Sequence, residues 1–189
     1  FSSPRPNSEN IEAGYAGVRD DVYKEELRGR VLTFQRNLNN ISRYKKKGKL
    51  IDVGCSIGVF LSLAKKEGWN VSGIEPSEWC VKQCRDLYNI ETIRGTHSTL
   101  AAFSGEFDVV TMWDVLEHVF DLEGTIAKIG ALLRPGGWLL NKSTFADAGG
   151  HHEHIHLAKH ACYQEIRAFN DLVVRQGFRY LGQLKPNRL

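Results

Sequence analysis

The stretch Lys49-Leu50-Ile51-Asp52-Val53-Gly54-Cys55-Ser56-Ile57-Gly58-Val59-Phe60-Leu61 decides how the rest of the chain is read. A short apolar run ends in a turn of small residues, and a second apolar run continues through Leu63 and Ala64. That order reads as a buried strand, a tight turn and the first turns of a helix. Glycines at Gly54 and Gly58 let backbone approach a bulky ligand where a Cβ would collide. The N–H groups exposed at the helix start favour a polar or anionic partner. Asp52, just inside the turn, is an acceptor aimed at the same place. This is a ligand-binding turn.

Working outward, the alternation repeats. Strands are expected at 50–54, 70–75, 91–94, 107–113, 138–141 and 178–184. Between them lie a helix over 57–67 closed by Gly68, one over 77–88 capped by Ser77, and a brief helical piece near 100–103. A further helix starts after Asp121 and is stopped by Arg134-Pro135-Gly136-Gly137, and a last one covers about 162–176. Strands alternating with helices imply a parallel sheet covered on both faces, with ligands outside the carboxyl ends of the strands. On the other side of the turn, residues 1–19 are rich in Pro, Ser, Asn and Gly and are expected to form a flexible arm. Residues 20–189 then make one domain. Its first helix, about 20–42, carries Val22, Leu27, Val31, Phe34, Leu38 and Ile41 at helical spacing, with Asp20 and Asp21 as caps.

A chain of 189 residues buries one sizeable core, and 42% hydrophobic with 25% charged residues is ordinary for a globular protein. The net charge of +3 gives no reason to expect nucleic acid, and the basic run Arg43–Lys49 reads as a solvated loop. No stretch reaches the ~20 apolar residues of a membrane helix, and the polar opening matches no leader pattern. Cys55, Cys80, Cys84 and Cys162 form no C-x-x-C pair and read as reduced thiols in a cytoplasmic protein.

Three ligand readings of the turn compete. A dinucleotide fingerprint lacks its third glycine. Gly54-Cys55-Ser56-Ile57-Gly58 is a literal G-x-S-x-G, the nucleophile elbow of hydrolases, with Asp and His residues following in order. That elbow normally follows several strands, whereas this is the first strand of the sheet. The third reading uses Glu75, 21 residues after Gly54 at the end of the neighbouring strand. There a carboxylate accepts both hydroxyls of a ribose lying over the glycine turn.

With these residues in place, the chain resembles a class I S-adenosylmethionine-dependent methyltransferase of the methyltransferase-23 type. Asp52–Gly58 is similar to that family's glycine-rich first motif, and Gly73-Ile74-Glu75-Pro76-Ser77 to its acidic second motif. Phe107–Val110 with Trp113-Asp114-Val115-Leu116-Glu117-His118-Val119 resembles the fourth-strand segment, and Leu133–Leu139 the turn into the fifth strand. The resemblance implies a three-layer, Rossmann-like α/β sandwich with a seven-stranded, mostly parallel sheet and helices on both faces. It implies S-adenosylmethionine as cofactor and S-adenosylhomocysteine as product. Gly54, Cys55, Ser56 and Gly58 would line the methionine and ribose part, with Asp52 near the amino-acid end and Glu75 on the ribose. Pro76, Ser77 and Thr96 would lie near the adenine, and Trp113, Asp114 and His118 beside the sulfonium and pocket wall. Two departures stand out: Ser56 replaces the usual middle glycine, a change expected to be tolerated because serine is small, and Gly95-Thr96-His97 replaces the usual adenine-binding acid.

Gly149–His160 holds five of the seven histidines. His152, His154 and His156 alternate like ligands on a strand face, but they match no standard zinc spacing, and no metal is expected. Methyl transfer is in-line substitution, so the protein mainly aligns the partners and removes a proton from the acceptor. His154 or His156, with His118 behind them, suits that proton. The expected acceptor is a small molecule, a sugar or a lipid-linked compound, handled by a monomer or homodimer. A non-catalytic module that binds the same cofactor is the rival reading, and a serine hydrolase using Ser56 the third.

Overall fold

The computed structural model describes residue 14 and residues 27–96, 99–100, 105–142 and 166–179. In chain order it contains α1 (Leu27–Tyr44), β1 (Lys49–Val53), α2 (Val59–Lys66), β2 (Asn70–Glu75), α3 (Glu78–Tyr88), β3 (Thr92–Arg94) and β4 (Phe107–Trp113). A 3-10 turn (Leu116–His118), α4 (Leu122–Leu132), β5 (Leu133–Lys142) and α5 (Ile166–Arg175) follow. The strands form a parallel sheet in the order β3-β2-β1-β4-β5. Strand order reverses between β1 and β4, so a crevice opens above their carboxyl ends, where α/β sheets bind ligands.

Alternation along the strands divides the core in two. Leu50, Val109, Trp138 and Leu140 face α1, α2 and α3, together with Phe34, Leu38, Ile41 and Phe60. Ile51, Val53, Val110, Met112 and Leu139 face the opposite layer, against Ile126, Ile129 and Leu132 of α4 and Leu172 and Val173 of α5. Helix α1 forms because Phe34, Leu38 and Ile41 recur on one face and all three are buried. Phe34 meets Phe60 and Trp113 with ring centroids 5.4 and 5.6 Å away, and Phe60 lies 4.9 Å from Trp113. These offset and edge contacts fix α1 over the end of β4.

Caps set several boundaries. The Ser77 hydroxyl accepts the Cys80 N–H at the start of α3, and Asp121 accepts from Gly124 at the start of α4. Asn89 closes α3 in the left-handed region at φ 49°.

The parallel α/β sandwich is as expected, with five strands rather than seven among the described residues. The strand expected over 178–184 is not seen at Phe178 and Arg179, and the remainder lies outside the described residues. The arm 1–19 is outside them except for Gly14, as are residues 20–26, Cys162 and the start of the last helix. Helix α1 also runs two residues past the expected 42, drawing Arg43 into its last turn.

Pro135-Gly136-Gly137 was expected to separate α4 from a strand at 138–141. Instead β5 begins at Leu133, paired with Phe107, and regular pairing resumes at Val109 with Trp138. The intervening residues bulge out. Pro135 has no N–H to offer the ladder, and Gly136 takes φ 76°.

Candidate active site

The β1–α2 turn is built on three left-handed residues: Gly54 at φ 77°, Ser56 at 49° and Gly58 at 83°. The glycines are required by space as well as by angle. A Cβ on Gly54 would lie 2.5 Å from Val115 Cγ2, and one on Gly58 2.9 Å from Cys84 Sγ. Ser56 was expected to replace glycine because it is small, but its backbone angle is the tighter constraint. A left-handed non-glycine residue costs roughly 1–2 kcal/mol, so something must hold it.

Glu75 does. Its Oε2 accepts the Ser56 N–H at 2.9 Å and its Oε1 the Ser77 N–H at 3.0 Å, so one carboxylate ties the turn to the start of α3. Gly54 and Cys55 donate to the Ile74 carbonyl at 2.8 and 3.2 Å, fastening the turn to β2. On the other side the Ser56 carbonyl accepts from the Cys84 thiol at 3.2 Å, with the Cys55 sulfur at 3.8 Å. The hydrogen bond that Cys55 makes to Cys84, and then burial, push the Cys55 thiol up; the same bond lowers Cys84. Burial pushes Cys80 up to about 11. Cys55, Cys80 and Cys84 are all free thiols.

Asp52 lies in β1 itself, not in the turn, and is 1% exposed. Thr111, its neighbour across the β1–β4 ladder, donates to Asp52 Oδ1 at 2.7 Å. Burial pushes this carboxyl well above the usual carboxylate range, with Cys84 and Glu75 adding to the rise and Thr111 opposing it. The expected open acceptor is therefore a buried acid beneath the crevice, one oxygen already bonded.

At the end of β4, Trp113 is half-buried with its indole Nε1 enclosed and without a hydrogen-bond partner among the described residues. Asp114 follows at φ 55°. Its N–H donates to the Lys142 carbonyl at 2.7 Å, and its Oδ2 lies 3.0 Å from Lys142 Nζ. Pro76 is half-buried beside Glu75, while the Ser77 hydroxyl, 1% exposed, is used by the helix cap. The Thr96 N–H donates to Thr99 Oγ1 at 3.1 Å. His118 sits half-buried in the 3-10 turn after Val115. His154, His156 and His97 lie outside the described residues, and no group of three metal-ligating side chains occurs among those described.

The structure thus gathers Asp52, Gly54, Cys55, Ser56, Gly58, Glu75, Pro76 and Ser77 around one turn, with Trp113 and Asp114 on the adjacent strand end. Thr111, Cys84, Val115 and Lys142 belong to the same construction and escaped the sequence reading. Each acts through a pairing register or helix docking that no local pattern announces. For a hydrolase, Ser56 would need a histidine at its hydroxyl. Among the described residues Ser56 bonds through its amide and carbonyl, and its side chain hydrogen-bonds with the Cys80 thiol.

Comparison with known proteins gives the same direction. Over 98 residues the chain is 39% identical to a ubiquinone biosynthesis O-methyltransferase of Thiobacillus denitrificans, a match covering 48% of this chain and 42% of that relative. The chain therefore matches less than half the length of such curated relatives. In structure it resembles the PH0226 protein of Pyrococcus horikoshii, at 26% identity and a TM-score of 0.56 over 67% of this chain and 60% of that one. It also shares its fold with a SAM-dependent methyltransferase of Archaeoglobus fulgidus, at 19% identity and a TM-score of 0.64 over 85% and 75% of the two chains. No helix among the described residues is long and apolar enough to cross a membrane. Residues 23–183 match the model of the Methyltransferase domain family, and the chain belongs to that family.

Proposed function

We propose that this protein transfers a methyl group from S-adenosylmethionine to a small-molecule acceptor. The observation that carries the reading is Glu75, a buried carboxylate at the carboxyl end of β2 facing the left-handed turn. The residues fit such a cofactor. Gly54 and Gly58 let the turn pack directly against Val115 and Cys84, which shapes the backbone over which a cofactor would lie. Glu75 orders the turn and the start of α3 through Ser56 and Ser77, and a carboxylate at this strand end is the group that accepts ribose hydroxyls. Asp52 offers a buried acid toward the amino-acid end, and Pro76, Ser77 and Thr96 supply the adenine edge.

When bound, the cofactor's sulfonium supplies an electrophilic methyl group. The chain's own residues then do three things. The turn and Glu75 orient the cofactor, the Phe34–Phe60–Trp113 aromatic cluster keeps water from the end of β4, and a histidine takes the acceptor's proton. His154 and His156 are the candidates for that base, with His118 behind them.

The finer acceptor class is drawn from the curated relative named above as an O-methyltransferase, which favours a hydroxyl acceptor. The test is calorimetric titration of S-adenosylhomocysteine onto wild type and Glu75→Gln, followed by turnover of labelled S-adenosylmethionine over an acceptor panel. Tight binding lost in the variant, with turnover in wild type, is expected. Binding without turnover on any acceptor would favour the non-catalytic module, and no binding would overturn both.

A further inference from the structure

Helix α1 carries charge of one sign only. Its 18 residues include Arg28, Arg30, Arg36 and Arg43 and no aspartate or glutamate. A solvated helix face normally interleaves acids with bases, and a basic face without them reads as a surface-binding helix.

The helical repeat decides where these side chains point. Phe34, Leu38 and Ile41 are buried in the core, and the opposite side of the helix carries Arg28, Leu32, Arg36, Asn39 and Arg43. All five are exposed, and Leu32 is 62% exposed. At the rise of an α-helix they form a straight row roughly 22 Å long. Arg28, Arg36 and Arg43 have no ion pair or hydrogen-bond acceptor among the described residues. Glu67, the acid at the seam between α1 and α2, is taken up by Gln35 and Ser42. In the loop that follows, Lys45, Lys47 and Lys49 are held by Gly136, Glu67 and Glu106, whereas Lys46 is exposed and unpaired among the described residues.

The shape of the row selects its occupant. A convex helix face touches a plane along one line, and mobile headgroups meet separate guanidinium groups without a matching register. A leucine set between two arginines can enter the headgroup layer and leave water. The net charge of +3 leaves no broad cationic surface for nucleic acid to follow.

We propose that the outward face of α1, formed by Arg28, Leu32, Arg36 and Arg43, is a docking surface for an anionic lipid membrane. The protein lies on the bilayer, since no described helix is long and apolar enough to cross it. The inner face of the same helix packs Phe34 on Trp113, so the bilayer lies roughly 10 Å, one helix diameter, from the end of β4. None of this depends on the methyl-transfer reading.

The test is co-sedimentation of the full chain with vesicles of phosphatidylcholine, alone or with about 30% phosphatidylglycerol, over a range of salt. Wild type should bind only the anionic vesicles and be released as salt is raised. The triple variant Arg28→Gln, Arg36→Gln, Arg43→Gln should bind on the order of 100-fold more weakly, at about fivefold per arginine. A control with the same charge change elsewhere, Arg85→Gln, Lys128→Gln, Arg175→Gln, should bind as wild type does. Equal binding to both vesicles, no binding to either, or equal losses in the two triple variants would overturn the proposal. Binding to polyglutamate but not to anionic vesicles would overturn it in favour of an acidic protein partner. Should the triple variant not fold by circular dichroism, Arg36→Gln alone, expected to cost about fivefold, carries the same test.

Discussion

Asp52 and Asp108 are buried carboxylates on adjacent strands of one sheet, 1% and 2% exposed, at opposite ends of it. Asp108, near the amino end of β4, pairs with the Arg134 guanidinium and accepts the Lys49 N–H at 2.9 Å. Its carboxylate leaves no room for a side chain on Gly48. Asp52, toward the carboxyl end, has Thr111 and no ion pair among the described residues. A buried acid whose cation comes from the protein holds the fold together. One without a cation lowers stability when ionised, and burial holds it toward its neutral, protonated form.

The same contrast runs through each end. At the amino end Lys45 donates to the Gly136 carbonyl at 2.6 Å and Lys49 pairs with Glu106 at 3.2 Å, so these lysines are spent on tying loops together. At the carboxyl end Ser56 and Asp114 are left-handed, and the indole N–H of Trp113 lacks a partner among the described residues. One end is closed chemically and the other is open.

Mutations can break this contrast, beginning with the largest effect. Glu75→Gln weakens two charge-assisted hydrogen bonds of about 1.5 kcal/mol each, so S-adenosylhomocysteine affinity should fall about 100-fold by calorimetry. An unchanged affinity would mean that the open end is not the ligand's.

Gly54→Ala forces a Cβ against Val115 at a φ of 77°. Urea denaturation should show a loss of about 2–3 kcal/mol, with Val115→Ala in the same chain recovering part of it. No recovery would place the cost in the backbone angle alone.

Arg134→Met tests the closed end. Arg134 is 52% exposed, so the loss should be about 1–3 kcal/mol, less than for a fully buried pair. Cofactor affinity should stay within about twofold, as for distant independent sites; a larger change would couple the two ends.

The smallest effect is a pH slope. The folded Asp52 carboxyl titrates above its unfolded value, so the folded state holds the extra proton between the two. Its contribution is most favourable below the unfolded value, near 4, and declines as pH rises toward the folded one. Asp52→Asn should flatten that slope and raise the Tm of the ligand-free protein at pH 7. Cys84 and Glu75 face Asp52 and add to its rise, and Thr111 opposes it.

How much of this was legible follows from how local each feature is. The glycine turn, Glu75 at the next strand end and the caps at Ser77 and Asp121 all depend on residues close in sequence. So did the parallel α/β architecture, because apolar runs and breakers alternate regularly along the chain. Thr111 was not legible as a partner of Asp52. The two lie 59 residues apart, and only the β1–β4 register brings them together. Pro135-Gly136-Gly137 was legible as a break, but whether a break ends a strand or becomes a bulge depends on what the flanking residues pair with.

The sequence alone determined that a tight turn of small residues spans Gly54 to Gly58, and that an acid stands at the next strand end. Side-chain size and strand periodicity suffice for both. Only the tertiary structure decided that Ser56 is left-handed and held by Glu75, that Asp52 is a buried acid without a cation, and that Lys142 pairs with Trp113 across the β4–β5 ladder. Those depend on register, burial and through-space charge, which arise when distant strands pair and water is excluded from between them.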